Sequence, residues 1–250
     1  MSRSLVVLIF LLLFNQPSRA ADEPVLRFSV AESWSMPLIQ LDERQPTSGI
    51  LFDIMQSLAR QVGRKAEYHV LPRLRVQPAL DRGEVDIRCY TAQAWVPNLS
   101  GDHLWSLPIL YQRDLLIASA ETAAGPYPRQ FDNETVGTVL GYNYPDLQYL
   151  FDNHQLVRED ARSQEQTLRK LIAGRYHYAV ASELVMDWLN RDLPADKKLH
   201  VISLIGEQAA GCLVRNDPDL PTQTILRTLV RMKASGEIQQ IIDRYTAPRG

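Results

Sequence analysis

The one long apolar run of the 250-residue sequence, near its start, is too short for the roughly 20 residues that a membrane-spanning helix needs, and no later stretch approaches that length. The sequence has only two cysteines, Cys89 and Cys212, and no C-x-x-C, so neither a thioredoxin-like redox site nor a zinc knuckle is encoded. The five histidines never fall at metal-ligand spacing. G-x-S-x-G, G-x-G-x-x-G, P-loop and H-E-x-x-H motifs are all missing. A basic excess is missing too: 27 lysines and arginines against 29 aspartates and glutamates give a net charge of -2, which argues against a nucleic-acid partner. None of these features calls for a cofactor, and no low-complexity tract is present.

What is there begins with export. Arg3 precedes the unbroken apolar run Leu5 to Phe14, and Ser18-Arg19-Ala20 offers the small residues that a signal peptidase reads. A cleaved leader over 1–20 is expected, which places the mature chain in the periplasm. No cysteine follows the run, so no lipid anchor is expected. In that oxidising compartment Cys89 and Cys212 can either pair or stay as buried thiols.

A short amphipathic helix pattern runs twice into one glycine and out into an apolar strand. The two copies are Ala79-Leu80-Asp81-Arg82-Gly83-Glu84-Val85-Asp86-Ile87 and Leu171-Ile172-Ala173-Gly174-Arg175-Tyr176-His177-Tyr178-Ala179. In each, glycine can adopt the left-handed conformation that ends a helix. Two α/β lobes on one plan are expected, with a length that allows each its own core.

Periodicity fills in the plan. A strand over Val25 to Ala31 leads through a polar loop to Ser48; Leu51, Ile54, Met55, Leu58 and Val62 then fall at helical spacing until Gly63. Ala66 to Leu71, Leu74 to Arg82 and Val85 to Tyr90 read as strand, helix and strand, a β-α-β-α-β order that implies a parallel sheet. Thr91 to Pro108 has no period, and such a stretch usually carries function. The second unit starts at Leu115 to Ser119, breaks at Gly125-Pro126-Tyr127-Pro128, and resumes with a strand over Val136 to Leu140. Pro145 is placed to open a helix, and Ser163 with Gln166 forms a capping box for the next. A strand over Tyr176 to Ala181, a helix through Trp188, a returning strand from Cys212 to Arg215 and two helices separated by Gly236 complete the chain.

In this order the motifs resemble the type II periplasmic solute-binding proteins of the family serving polar amino-acid importers, over essentially all of the mature chain. Gly49-Ile50-Leu51-Phe52-Asp53-Ile54, Pro78-Ala79-Leu80 with Gly83 and Val85-Asp86-Ile87, and Trp105-Ser106-Leu107-Pro108 carry the likeness. Val136-Gly137 with Gly141, Leu171 with Gly174, and Ser235-Gly236-Glu237-Ile238 near Tyr245 extend it. The resemblance implies two Rossmann-like lobes joined by two crossover strands: 21–112 plus 216–250 form the first and 113–215 the second. The crossovers are expected near Gln112 to Leu115 and Val214 to Asp217, with a ligand in the cleft between the lobes.

Open α/β sheets bind ligands beyond the carboxyl ends of their strands. Five loops answer that description. They supply Glu32, Ser33 and Trp34; Arg73 and Arg75; Tyr90, Thr91 and Gln93; Tyr142, Asn143 and Tyr144; and Ser182 and Glu183. Two family positions differ. The arginine that clamps a ligand carboxylate, about twelve residues after the third-strand aspartate, falls on Asn98, and the aspartate that holds the amino group, eight after the second-lobe glycine, falls on Ser182. Glu183 is adjacent to the second, and Arg73, Arg75 or Arg88 can supply the missing cation. Arg75 reads equally as a solvated arginine, Arg88 as an ion-pair partner of Asp86, and Tyr144 as a staple of the helix start. Trp34, in a polar loop, reads as a stacking platform.

The expected function is capture of a small polar ligand, amino-acid-like or an organic acid, by a monomer that hands it to an inner-membrane importer. One alternative is a sensory input read by a membrane receptor. Another is a periplasmic dehydratase of cyclohexadienyl type, with Glu32 and Glu183 facing across the cleft as acid and base.

Overall fold

The computed structural model describes residues 24–96, 98–122 and 131–247. The expected leader and the Gly125-Pro126-Tyr127-Pro128 break lie outside the described residues. Among these, no helix is long and apolar enough to cross a membrane.

The chain opens with β1 (Val25–Ala31), and a hairpin of β2 (Gln40–Asp42) and β3 (Gln45–Ser48) stands where a plain loop was expected. Next come α1 (Ile50–Gln61), β4 (Lys65–Leu71), α2 (Arg73–Asp81) and β5 (Ile87–Thr91). The strands pair in parallel in the order β4-β1-β5. Helix α1 forms where its apolar residues recur at three and four: Ile50, Leu51, Ile54, Met55 and Leu58 are fully buried, and they share one core with Leu26, Phe28 and Val30 of β1. Each such side chain contributes about 1.5 to 3 kcal/mol of transfer free energy.

The two glycine turns are built alike. Gly83 and Gly174 have φ of 69° and 74°. Gly83 N–H donates to Leu80 O and Glu84 N–H to Ala79 O; Gly174 N–H donates to Leu171 O and Arg175 N–H to Lys170 O. Each pair of bonds satisfies carbonyls that the helix end would leave bare, and releases the chain into a buried strand.

The second half contains β6 (His103–Trp105), β7 (Leu110–Ala118), β8 (Glu134–Val139), α3 (Gln148–Asp152), β9 (Leu156–Ala161), α4 (Gln164–Ile172), β10 (Tyr178–Ser182) and α5 (Glu183–Arg191). It ends with β11 (His200–Arg215), α6 (Thr222–Ala234) and α7 (Glu237–Thr246). Pro145 opens a 3-10 turn that runs into α3. Ser163 Oγ accepts from Gln166 N–H at 3.2 Å, while the Gln166 side chain reaches Arg162 N–H rather than the N-cap itself.

Strand β11 is much longer than the expected Cys212 to Arg215. Its first part runs antiparallel to β7, from His200 opposite Ala118 to Ala210 opposite Leu110; its last part, from Gly211 to Val214, pairs with β5. Ile109, Leu110, Ala210, Cys212 and Val214 belong to the core built on β1 and α1. Leu115 and Ile117 belong to a second core with α4 and α5, and Leu116 to a third with Val136 and Val180. The first crossing thus lies within β7, between Leu110 and Leu115. The second lies opposite it, ahead of Gly211, and not at Val214 to Asp217: Val214 and Arg215 already pair within the first lobe's sheet, and Asn216 and Asp217 follow its end.

Cys89 and Cys212 face each other across β5 and β11 and are joined by a disulfide in a fully buried position. The bond closes a loop of 123 residues. In the chain-entropy model such a loop is worth about 4 to 5 kcal/mol. Replacing both cysteines by alanine should therefore lower the urea midpoint strongly, and thiol titration of the unfolded, unreduced native protein should find no free thiol.

Candidate functional site

A narrow chamber lies where the C-terminal ends of β1, β5 and β8 meet β7. The first lobe supplies Ala31 and Trp34, then Arg73 and Val76 of α2, Arg88 and Tyr90 of β5, and Trp95 just beyond. Strand β7 supplies Gln112 and Asp114, and the second lobe Tyr142, Asn143 and Tyr144. The lobes are closed over it. Ser33 Oγ and the Tyr142 hydroxyl are 3.3 Å apart, Asn143 Nδ2 donates to Trp95 O at 3.4 Å, and Glu165 N–H donates to Ser35 Oγ at 3.4 Å. The volume left free is about 30 Å³, room for a water or two. A wider groove of about 710 Å³ runs alongside between the lobes and shares Trp34 and Arg73 with the chamber.

One pole of the chamber is cationic. Arg88 is 4% exposed, and its Nη1 donates to Gln77 Oε1 at 2.8 Å. Burial, and then the neighbouring Arg73 charge, bring its pKa down to about 9, with Asp81 offsetting this in small part. Burial lowers Arg73 as well; its guanidinium stands 6.0 Å from the Tyr142 ring centroid. Neither arginine forms an ion pair among the described residues. Asp86, the alternative partner for Arg88, is taken by others: Arg27 Nη2 binds it at 2.5 Å and Arg215 Nη2 at 2.9 Å.

The other pole is a carboxylate on β7. The Tyr90 hydroxyl donates to Gln112 Oε1, and Gln112 Nε2 donates to Asp114 Oδ1 at 2.6 Å. Burial pushes Asp114 up to about 6; the Gln112 bond opposes this and the Asp146 charge adds to it. Tyr90 holds φ at 55°, a left-handed backbone that is rare for a bulky residue and collects at ligand sites.

Of the residues expected at the site, Trp34, Arg73, Tyr90, Tyr142, Asn143 and Tyr144 line the chamber. The Tyr144 hydroxyl accepts from Val139 N–H at 3.0 Å, so its polar atom serves the loop. The other expected residues, Ser33 and Gln93 among them, do not line it. Glu32 lines the wide groove, 3.6 Å from Arg44. Arg75 is exposed, on another face of α2 from Arg73. Thr91 is fully buried, its hydroxyl without a partner among the described residues. Glu183 opens α5 and is paired with Arg113 at 2.6 Å, so the acid-base couple Glu32 and Glu183 is not assembled. Ser182 caps α5.

Gln112, Asp114, Trp95 and Val76 were not anticipated. Only Gln112 and Asp114 had a sequence signal, the polar run Gln112-Arg113-Asp114 at the head of the apolar Leu115-Leu116-Ile117.

No protein-family model matches the chain, and no curated protein matches it. Solved structures do. An ancestral arginine-binding protein bound to arginine has TM-score 0.73 and 18% identity over 88% of this chain and 97% of its own. The GluR0 ligand-binding core from Nostoc punctiforme in complex with L-glutamate has TM-score 0.72 and 17% identity over 90% of this chain and 100% of its own. An ancestral amino acid-binding protein described as a precursor of cyclohexadienyl dehydratase has TM-score 0.67 and 15% identity, over 89% and 95%. The shared feature at such identities is the fold, that of the two-lobed type II periplasmic binding proteins.

Because Asp114 holds its proton more tightly folded than unfolded, its contribution to stability falls as pH rises from about 4 to about 6. Asp114→Asn should match the native protein near pH 3.5 and exceed it at pH 8 by on the order of 2 kcal/mol in the absence of ligand. Denaturant titrations at the two pH values test this; equal stability at pH 8 would mean the carboxylate is well solvated.

Proposed function

We propose that the protein is an extracytoplasmic solute-binding protein that closes its lobes on a small polar ligand, amino-acid-like or an organic acid, and delivers it to an inner-membrane importer. One observation carries the reading: buried Arg88 and half-buried Arg73, neither with a carboxylate partner among the described residues, face into a chamber walled by both lobes. Leaving guanidinium groups desolvated and unpaired costs several kcal/mol, so a fold tolerates it where a ligand supplies the anion. The export-type leader and the buried disulfide agree with work outside the cytoplasm. A dehydratase on this fold would need acid and base groups other than Glu32 and Glu183, which stand apart outside the chamber.

With about 30 Å³ free, ligand access requires the lobes to part. A thermal-shift screen of amino acids and small organic acids is the first test, since a ligand at 100 times its Kd adds about 2.7 kcal/mol. A true ligand should also reduce the radius of gyration in small-angle scattering, because it must favour the closed state over the open one. An unchanged radius at saturation would refute the clamp. Trp34→Ala should weaken binding by about 1 to 3 kcal/mol as a stacking wall, whereas Arg75→Ala should leave the affinity as it was.

A further inference from the structure

Matching of charges elsewhere in the molecule gives the chamber its meaning. Asp86 is held by two arginines, Glu159 by Lys170 and Arg175, Glu165 by Arg169 and Asp53 by Arg244. Inside the chamber the pairing stops. Arg73 and Arg88 stand near enough for the charge of one to disfavour the other, and neither has an anionic partner among the described residues. Asp114 shares the same walls, yet makes no ion pair with them; its one side-chain hydrogen bond comes from Gln112. The two poles are therefore separate, and among the described residues each has a neutral hydrogen-bond partner but no countercharge.

We infer that the ligand is a short amphoteric molecule carrying two negative charges and one cationic nitrogen, with Arg73 and Arg88 receiving its anionic groups and Asp114 receiving the nitrogen. This rests on the solute-binding reading and narrows it to a ligand of net charge -1. A single carboxylate would leave one of two adjacent guanidiniums without a countercharge in a site that is largely buried; two carboxylates, or one doubly charged group, satisfy both. At the far pole a carboxylate accepts but cannot donate, so a nitrogen that donates and carries positive charge completes it. Tyr90, Tyr142 and Tyr144, which neighbour Asp114, favour a cation there. Trp34, Trp95 and Val76 wall the space and keep the carbon skeleton short. The nitrogen's acceptor thus lies on crossover strand β7, whereas the family pattern puts it in the second-lobe loop that here carries Ser182.

The test is a set of titrations of the full mature protein, followed by tryptophan fluorescence and by scattering. The probes are L-aspartate, L-glutamate, L-asparagine, L-glutamine, L-arginine and succinate. L-aspartate or L-glutamate should bind at least about 30-fold more tightly than its amide and than L-arginine, the loss expected for one missing charged partner. Arg73→Gln and Arg88→Gln should each shrink the acid-over-amide preference about tenfold or more. Asp114→Asn should weaken the acidic amino acid while leaving succinate no worse. Since Arg88 is buried, circular dichroism checks that its variant is folded, and Arg73→Gln, made at a half-buried site, gives an independent reading. Lobe closure on L-glutamine or L-arginine with greater affinity than on L-glutamate would overturn the inference and leave the solute-binding reading standing. Should neither these six compounds nor the wider screen close the lobes, both would fall.

Discussion

The antiparallel ladder between β7 and β11 is the constraint on which the rest of the molecule depends. It is the place where both crossings between lobes lie side by side, hydrogen-bonded from His200 and Ala118 to Ala210 and Leu110. Beyond Ala210, β11 is fixed: it pairs with β5, is tied to it through Cys89 and Cys212, and ends with Arg215 bound to Asp86. Before Ala210 it belongs to the other lobe. Any change in the angle between lobes must be absorbed by the few residues around Tyr111 to Asp114 and their partners Gly206 to Ala209, a stretch flanked by register shifts between Leu204 and Gly206 and between Gly211 and Cys212. Hinges of this kind need few residues, provided those on either side are held.

Asp114 sits on that same stretch, opposite Gly206. Binding and bending are thus joined in one strand. A ligand that reaches from Arg88 in β5 to Asp114 in β7 spans the boundary of the first lobe and the crossover, and the tyrosines after β8 close the remaining side. The interlobe bonds Ser33 to Tyr142 and Asn143 to Trp95 are polar contacts of 3.3 and 3.4 Å, weak enough to be exchanged for ligand contacts.

Much of this was legible in the sequence, for physical reasons. Helix α1 and the two glycine turns were read because burial imposes a clean period there. Strand β9 was missed because it is an edge strand whose inner positions carry Arg158, Glu159 and Asp160. The first part of β11 was missed because register shifts between Val201 and Ser203 and between Leu204 and Gly206 break the alternation that marks a strand. At the site, the rule that ligands lie beyond strand ends found the tyrosine loop, Trp34 and Arg73, and overlooked Asp114, which lies within a strand. It also could not choose between Arg73 and Arg75: residues two apart on a helix point in different directions, so at most one faces the cleft. Glu183, at the start of α5, was drawn away by Arg113 of β7, a partner that no local pattern reveals.

The route of β11 has a consequence for the order in which the molecule is made. The second lobe is drawn from one continuous stretch, whereas the first takes its core from both ends of the chain: Leu26 to Leu110, then Ala210 to Ile241. A chain emerging from its amino end can complete the second lobe while the first still lacks the end of β11, α6 and α7. The lobe begun first is finished last, and until Cys212 arrives Cys89 is an unpaired thiol on β5 in an unfinished sheet. A wrong partner would find it most easily in that interval.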